Sequence, residues 1–169
     1  LINLPLMNEL ARAPMTLVVA HRGNTTVSVE NTIASLVAAR EAGADIVEMD
    51  VMQTADGKFV VMHDANLARL AGQNVDVGSL RFDELTALRV HDEQGNSEPL
   101  PSLSEYVSTA AEIGQLLLIE IKLHGGETDD HVELLVEELE RMDLLEANVY
   151  HSLDLDSVER LKRLRPGLG

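Results

Sequence analysis

Short apolar runs that end in a charged or imidazole side chain recur along this chain between helical patterns, and that recurrence restricts the fold more than any other feature. TLVVA (Thr16 to Ala20) ends at His21, DIVEMDVM (Asp45 to Met52) carries two carboxylates, and FVVMH (Phe59 to His63) ends in a second imidazole. QLLLIEIK (Gln115 to Lys122) finishes with Glu120 and Lys122, and Ala147 to His151 finishes with a third imidazole. Each run is short and apolar enough to be a buried strand. Helical patterns are expected from Ser28, as cap, to about Ala42, with Gly43 as the stop; from Ser102 to about Ile113, ended by Gly114; from Asp129 to Met142; and from Leu155 to Leu164. Strands that alternate with helices predict parallel βα units, closed into a barrel or open as a doubly wound sheet. About five strands are legible where a closed barrel has eight, so a sixth is expected beyond the final RPGLG.

The pattern weakens from Asp64 to Pro101. This stretch is expected to be an excursion above the barrel mouth, with a short helix at Phe82 to Leu88 and a polar loop, HDEQGNSEPLP. Residues 1–15, LINLPLMNELARAPM, form an apolar lead-in or linker, with a membrane-proximal tether as the alternative reading. The missing initiator Met points to a longer parent chain. The expected organisation is thus a lead-in over 1–15 and one catalytic domain over 16–169, C-terminally incomplete, with 64–101 as its insertion. No apolar run reaches the 18 residues that a membrane span requires; the location is left open between the cytoplasm and a tether at the cell membrane.

With no Cys among its 169 residues, the chain has no disulfide framework, thiol nucleophile or thiolate metal site. The formal charge of −16, from 29 acidic and 13 basic residues, opposes binding to nucleic acid. A small anion remains acceptable where a divalent cation and one Arg or Lys reverse the local sign.

Side chains two apart on a strand share a face, so Glu48 and Asp50 lie about 7 Å apart along one side of DIVEMDVM. Two carboxylates on so apolar a strand are costly unless paired, and a shared divalent cation removes the cost. Glu120 can supply a third oxygen; an all-carboxylate set of Glu48, Asp50 and Glu120 favours Mg²⁺ or Ca²⁺ over zinc. His21 and His63 suit acid and base work near neutral pH. Arg22 and Lys122 can balance charge on phosphoryl oxygens. Glu30 and Asn31 either cap the first helix or bond to His21 and the metal's surroundings. His151 and Ser152 could face a substrate, whereas His91, His124 and His131 read as surface residues. No GxGxxG or Walker sequence occurs.

Taken in order, HRG at His21 to Gly23, EN at Glu30 and Asn31, EMD at Glu48 to Asp50, HD at His63 and Asp64, PSLSE at Pro101 to Glu105 and EIK at Glu120 to Lys122 resemble the glycerophosphodiester phosphodiesterases. The resemblance runs from about Thr16 to the end. It implies an α/β fold, a TIM-type (β/α) barrel present as about five of eight βα units, with a small insertion after the third strand. It implies hydrolysis of a glycerophosphodiester to glycerol 3-phosphate and an alcohol, with Ca²⁺ or Mg²⁺ as cofactor. His21 and His63 would be the acid and base pair, Glu48, Asp50 and Glu120 the metal ligands, and Arg22 and Lys122 the phosphate contacts. Some members are fused behind membrane-spanning segments, and a homo-oligomer in which another copy closes the barrel is a further expectation. Where the family usually has Ser-Phe after the fifth strand, this chain has Ser152 and Leu153.

Overall fold

The computed structural model describes residues 16–169; the expectation for residues 1–15 lies outside the described residues. In chain order the elements are β1 (Val19–His21), α1 (Ile33–Glu41), β2 (Ile46–Gln53), β3 (Phe59–Val61), α2 (Ala68–Ala71), α3 (Phe82–Thr86), β4 (Arg89–His91), β5 (Ser97–Pro99), α4 (Leu103–Glu112), β6 (Leu116–Ile121), α5 (His131–Arg141), β7 (Val149–His151) and α6 (Leu155–Leu164). The main sheet has the parallel order β1-β2-β6-β7, and β3 pairs with β2. Helices α1, α4, α5 and α6 cover one face of this parallel core, which is part of a TIM-type barrel architecture.

Strand alternation divides β2 and β6 into two faces. Val47, Met49 and Val51 of β2 and Leu117, Ile119 and Ile121 of β6 pack with Leu36 of α1, Tyr106 of α4, Leu135 of α5 and Leu161 of α6. Burial of each large aliphatic side chain there contributes about 1.5–3 kcal/mol. Glu48, Asp50 and Glu120, at the alternate positions, therefore face the opposite side. The parallel register places His21 beside Glu48, Asp50 beside Glu120, and Glu120 beside His151.

Four sequence expectations need correction here. β3 is antiparallel to β2, joined to it through the Asp56–Gly57 turn; the hairpin returns the chain toward the middle of β2, where Met62 N–H donates to the Asp50 carbonyl at 3.1 Å. Pairing with β3 also carries β2 three residues past Asp50, so Glu48 and Asp50 lie inside the strand and not at its end. Helix α1 begins later than expected: Thr32, not Ser28, is its cap, accepting from Ser35 N–H at 3.2 Å while Ser35 Oγ accepts from Thr32 N–H at 3.2 Å. Finally, among the described residues β1 is an edge of the sheet, with Val19 47% exposed where a buried strand was expected.

The insertion holds more structure than a loop. HDEQGNSEP contains the turn of a β4–β5 hairpin, closed by Asp92 accepting from the N–H groups of Gln94 and Asn96. Met52, Val60 and Met62 pack with Leu67, Leu70, Val77, Leu85, Val90 and Leu100 in a second apolar cluster. Because Met52 follows Asp50 on the same face of β2, this cluster roofs the sheet just beyond the carboxylates. His131 and the side chain of His124 are also buried: His124 Nε2 lies 2.8 Å from the Gln53 carbonyl oxygen, and His131 bridges the Thr128 carbonyl and Ser157 Oγ. Exposure was expected of both because neither tertiary partner is near in sequence.

The loop after β1 turns through Gly23 at φ +86°, where an added Cβ would meet Ser35 Oγ at 2.5 Å and the Ser35 carbonyl carbon at 2.7 Å. Gly23→Ala should therefore destabilise the fold by about 2–4 kcal/mol, combining left-handed strain and overpacking. Gly43→Ala, at φ +83° with open space around it, should cost only about 1 kcal/mol. Urea midpoints of the two variants check the difference; equal losses would contradict it.

Candidate metal and phosphate site

Glu48 stands at the centre of the site. It is 4% exposed, and its Oε2 accepts from the Arg22 backbone N–H at 3.1 Å while its Oε1 has no hydrogen-bond partner. Burial, reinforced by the charges of Asp50 and Glu120, pushes its pKa up to about 7. His21 Nε2 lies 3.8 Å from Glu48 Oε2, and His151 Nε2 lies 4.0 Å from Glu48 Oε1 and 3.8 Å from Glu120 Oε2. Single ligand atoms of Glu48, Glu120 and His151 all lie within 4.8 Å of one another. Such separations are too long for hydrogen bonds. They suit groups arranged around one ion, since two ligands each about 2.4 Å from Ca²⁺ lie about 3.4 Å apart at right angles.

Asp50 occupies a more enclosed position, with no exposed surface. Asn31 holds it at two points: Asn31 Nδ2 donates to Asp50 Oδ2 at 2.8 Å, and Asn31 Oδ1 accepts from Asp50 N–H at 3.2 Å. Arg22 Nε lies 3.3 Å from Oδ2 and Lys122 Nζ 3.7 Å from Oδ1. Oδ1 still has no hydrogen-bond partner, like Glu48 Oε1 and His151 Nε2. Buried polar atoms left in this state favour a cation between them. Lys122 Nζ is 2.6 Å from Glu120 Oε1, and despite burial this pairing holds the Glu120 carboxyl below its ordinary range.

The loop that delivers these partners is unusual in backbone conformation. Arg22 (φ 59°) and Asn31 (φ 56°) are both left-handed, and Asn31 N–H donates to the Arg22 carbonyl at 2.9 Å, tying the two ends of the loop together. Arg22 N–H also reaches the Glu48 carbonyl at 2.9 Å. Asn tolerates this region well and Arg poorly, so the strain at Arg22 is held in place by its bonds to β2. Neither Glu30 nor Asn31 caps α1. Glu30 instead bonds to Arg22 Nη1 at 3.0 Å and to Arg69.

Most of the residues expected from sequence thus converge: His21, Arg22, Asn31, Glu48, Asp50, Glu120 and Lys122 share direct contacts, with Glu30 behind Arg22. His63 approaches through a different route, with its Nδ1 2.7 Å from Asp64 Oδ1. His151 was read only as facing a substrate, and its grouping with Glu48 and Glu120 was not foreseen. Its register opposite Glu120 carries the signal, but register across β6 and β7 is not visible in the chain. Asp64 and Arg69 were likewise missed as partners of His63 and Glu30.

Glu48 holds its proton more tightly in the folded protein than the 4.5 expected of an unfolded carboxyl. Folded stability should therefore fall as pH rises from 4.5 toward 7, with the loss complete above 7. Glu48→Gln should flatten that part of the profile. Unfolding midpoints in chelator at about pH 5 and about pH 8 check it, and an unchanged slope in the variant would refute the assignment.

The sequence model of the glycerophosphoryl diester phosphodiesterase family matches residues 21–168. A glycerophosphodiester phosphodiesterase of Caldanaerobacter subterraneus is 31% identical over 156 residues, covering 90% of this chain and 64% of that protein. The chain thus spans somewhat less than two thirds of this relative's length. A phosphodiesterase of Oleispira antarctica, solved in complex with the product sn-glycerol 3-phosphate, superposes with a TM-score of 0.79 at 29% identity, over 90% of this chain and 63% of that one. A putative glycerophosphoryl diester phosphodiesterase from Silicibacter pomeroyi gives a TM-score of 0.81 at 24% identity, over 93% of this chain and 64% of that one, a likeness of fold.

Proposed function

The chain belongs to the glycerophosphoryl diester phosphodiesterase family, and we propose that residues 16–169 carry the catalytic site of a divalent-metal-dependent hydrolase that converts glycerophosphodiesters to sn-glycerol 3-phosphate and an alcohol. The observation that carries this reading is the convergence of Glu48, Glu120 and His151 within 4.8 Å, with buried atoms of Glu48 and His151 left unpartnered. Glu48 and Glu120 would hold a cation, Ca²⁺ or Mg²⁺, with Asp50 Oδ1 directed to the same charge and His151 as a nitrogen ligand or neighbour. Such an ion supplies charge neutralisation at the phosphoryl oxygens and lowers the pKa of a coordinated hydroxyl or water.

The remaining chemistry belongs to the chain. Arg22 and Lys122 would neutralise charge that grows on the phosphoryl oxygens in the transition state. Asn31 keeps Asp50 fixed, and Glu30 keeps Arg22 fixed, so neither reorganises during the reaction. His21 and His63 would divide the proton transfers: one takes the proton from a water as its oxygen bonds to phosphorus, directly or to open a cyclic phosphate first formed by the substrate's own glycerol hydroxyl, and the other gives a proton to the leaving oxygen as its bond to phosphorus breaks. Each transfer by a positioned imidazole contributes roughly 10²–10⁴ in rate. The product found on the Oleispira antarctica phosphodiesterase supports carrying sn-glycerol 3-phosphate over to this chain. No helix among the described residues is long and apolar enough to cross a membrane.

Glycerophosphocholine incubated with the protein and Mg²⁺, Ca²⁺ or Mn²⁺ should yield glycerol 3-phosphate, followed by phosphorus NMR. Glu48→Ala should lower the rate by about 10²-fold or more. A cyclic phosphate as final product would favour a phospholipase D-like lyase, and tight binding with no turnover would favour a phosphodiester-binding domain. Absence of product with every cation, in wild type and Glu48→Ala alike, would refute the hydrolase reading.

A further inference from the structure

His63 is the one proposed proton-transfer residue whose ring is held by a carboxylate, and that carboxylate is itself held by a residue of the insertion. Asp64 Oδ1 lies 2.7 Å from His63 Nδ1. On its other side Asp64 meets Arg69, which donates through Nε to Oδ2 at 2.7 Å and through Nη2 to Oδ1 at 3.1 Å. The adjacent edge of the same guanidinium, which shares Nη2, donates to Glu30, from Nη1 to Oε2 at 2.8 Å and from Nη2 to Oε1 at 2.7 Å. Glu30 in turn accepts from Arg22 Nη1 at 3.0 Å, and Arg22 Nε lies 3.3 Å from Asp50 Oδ2. Alternating charges therefore run without a gap from the His63 ring to the most enclosed carboxylate of the site.

An exposed ion pair is ordinarily worth little, and Arg69 is 49% exposed. Two features set this one apart. The guanidinium makes paired bonds to two carboxylates at once, a geometry that Lys cannot reproduce. Exposure also falls from one carboxylate to the next, from 26% for the Asp64 side chain to 15% for Glu30 and none for Asp50, so one end is anchored in the protein interior.

We propose that Asp64 and Arg69 are positioning residues for His63: Arg69, seated on Glu30, holds Asp64 so that it accepts the His63 Nδ1 proton and leaves Nε2 as the nitrogen for proton transfer. Arg69 lies on α2, within the insertion, so the insertion contributes to the chemistry as well as roofing the sheet. The Arg69 hydrogen bond also keeps the Asp64 carboxyl down at about 2, a carboxylate acceptor under all working conditions. A neutral imidazole whose Nδ1–H is taken by a carboxylate has its tautomer fixed by that bond. The catalytic consequence rests on the proposed hydrolase reading, whereas the tautomer does not.

The test uses ¹⁵N-labelled protein, with the His63 ring signals assigned by their loss in His63→Gln. At a pH where the ring is neutral, wild type should show a protonated Nδ1 and an unprotonated Nε2. Arg69→Ala and Asp64→Asn should both shift the ring toward a tautomer mixture, and Arg69→Lys should restore the wild-type pattern only in part. In the glycerophosphocholine assay, Arg69→Ala should lower kcat about tenfold to a hundredfold with little change in KM. His63 signals unchanged in both Arg69→Ala and Asp64→Asn would overturn the proposal, whatever the activity. A shifted tautomer in a protein whose wild type has no turnover would uphold the positioning and count only against the hydrolase reading.

Discussion

Asp50 has no exposed surface on a strand where its neighbours are Met49 and Val51, and an unpaired charge there would cost several kcal/mol. The surrounding chain is arranged to reduce that penalty. Asn31 bonds to both its side chain and its backbone, and Arg22 and Lys122 approach it from opposite neighbouring strands. These three residues come from the loop after β1 and the residue after β6, the strands that flank β2. A local need for charge compensation thus brings the ends of β1 and β6 to the interior of β2, and the remaining functional groups follow from that convergence.

Compensation at Asp50 does not extend to Glu48. Its Oε1 lacks a hydrogen-bond partner, and its pKa is pushed up to about 7 by burial and by Asp50 itself. The two carboxylates therefore differ in their surroundings: Asp50 is flanked by Arg22 and Lys122 and bonded to Asn31, whereas Glu48 accepts from the Arg22 backbone N–H, and each keeps one oxygen without a hydrogen-bond partner. Lys122 divides itself between Asp50 and Glu120, so the oxygen of Glu120 that faces His151 is not the one that faces the lysine. That division keeps an open cluster of ligand atoms beside a closed cluster of ion pairs.

Two apolar clusters hold this arrangement. The larger fills the space between sheet and helices and sets which face of β2 and β6 carries charge. The smaller packs the insertion against Val29, Val60, Met62 and Met52, the last of these one step along the same face from Asp50. Its position explains why α2 can deliver Arg69 to Glu30 and Asp64. A stretch that reads as an irregular excursion is thus the means by which two loops, after β1 and after β3, share one guanidinium.

Much of this was already legible in the chain. The period of two in DIVEMDVM and QLLLIEIK assigns Glu48, Asp50 and Glu120 to the face away from the helices, because inverting it would bury charge among Leu, Val and Ile. Helix α6 over Leu155–Leu164 and helix α4, expected to run from Ser102 to about Ile113, also follow from local pattern. The antiparallel return of β3 was missed although the chain carries it: the six residues Gln53 to Lys58, with their Asp56–Gly57 turn, are too few for the crossover a parallel neighbour needs. The start of α1 at Thr32 depended on Ser35 folding back on it, and the burial of His124 and His131 depended on partners distant in sequence. Sequence determined which residue types share a strand face, because alternation is a property of the backbone. Only the tertiary structure decided that His151 joins Glu48 and Glu120 and that Arg69 joins Asp64 to Glu30, because register between strands and contacts between loops are set by packing across the whole domain.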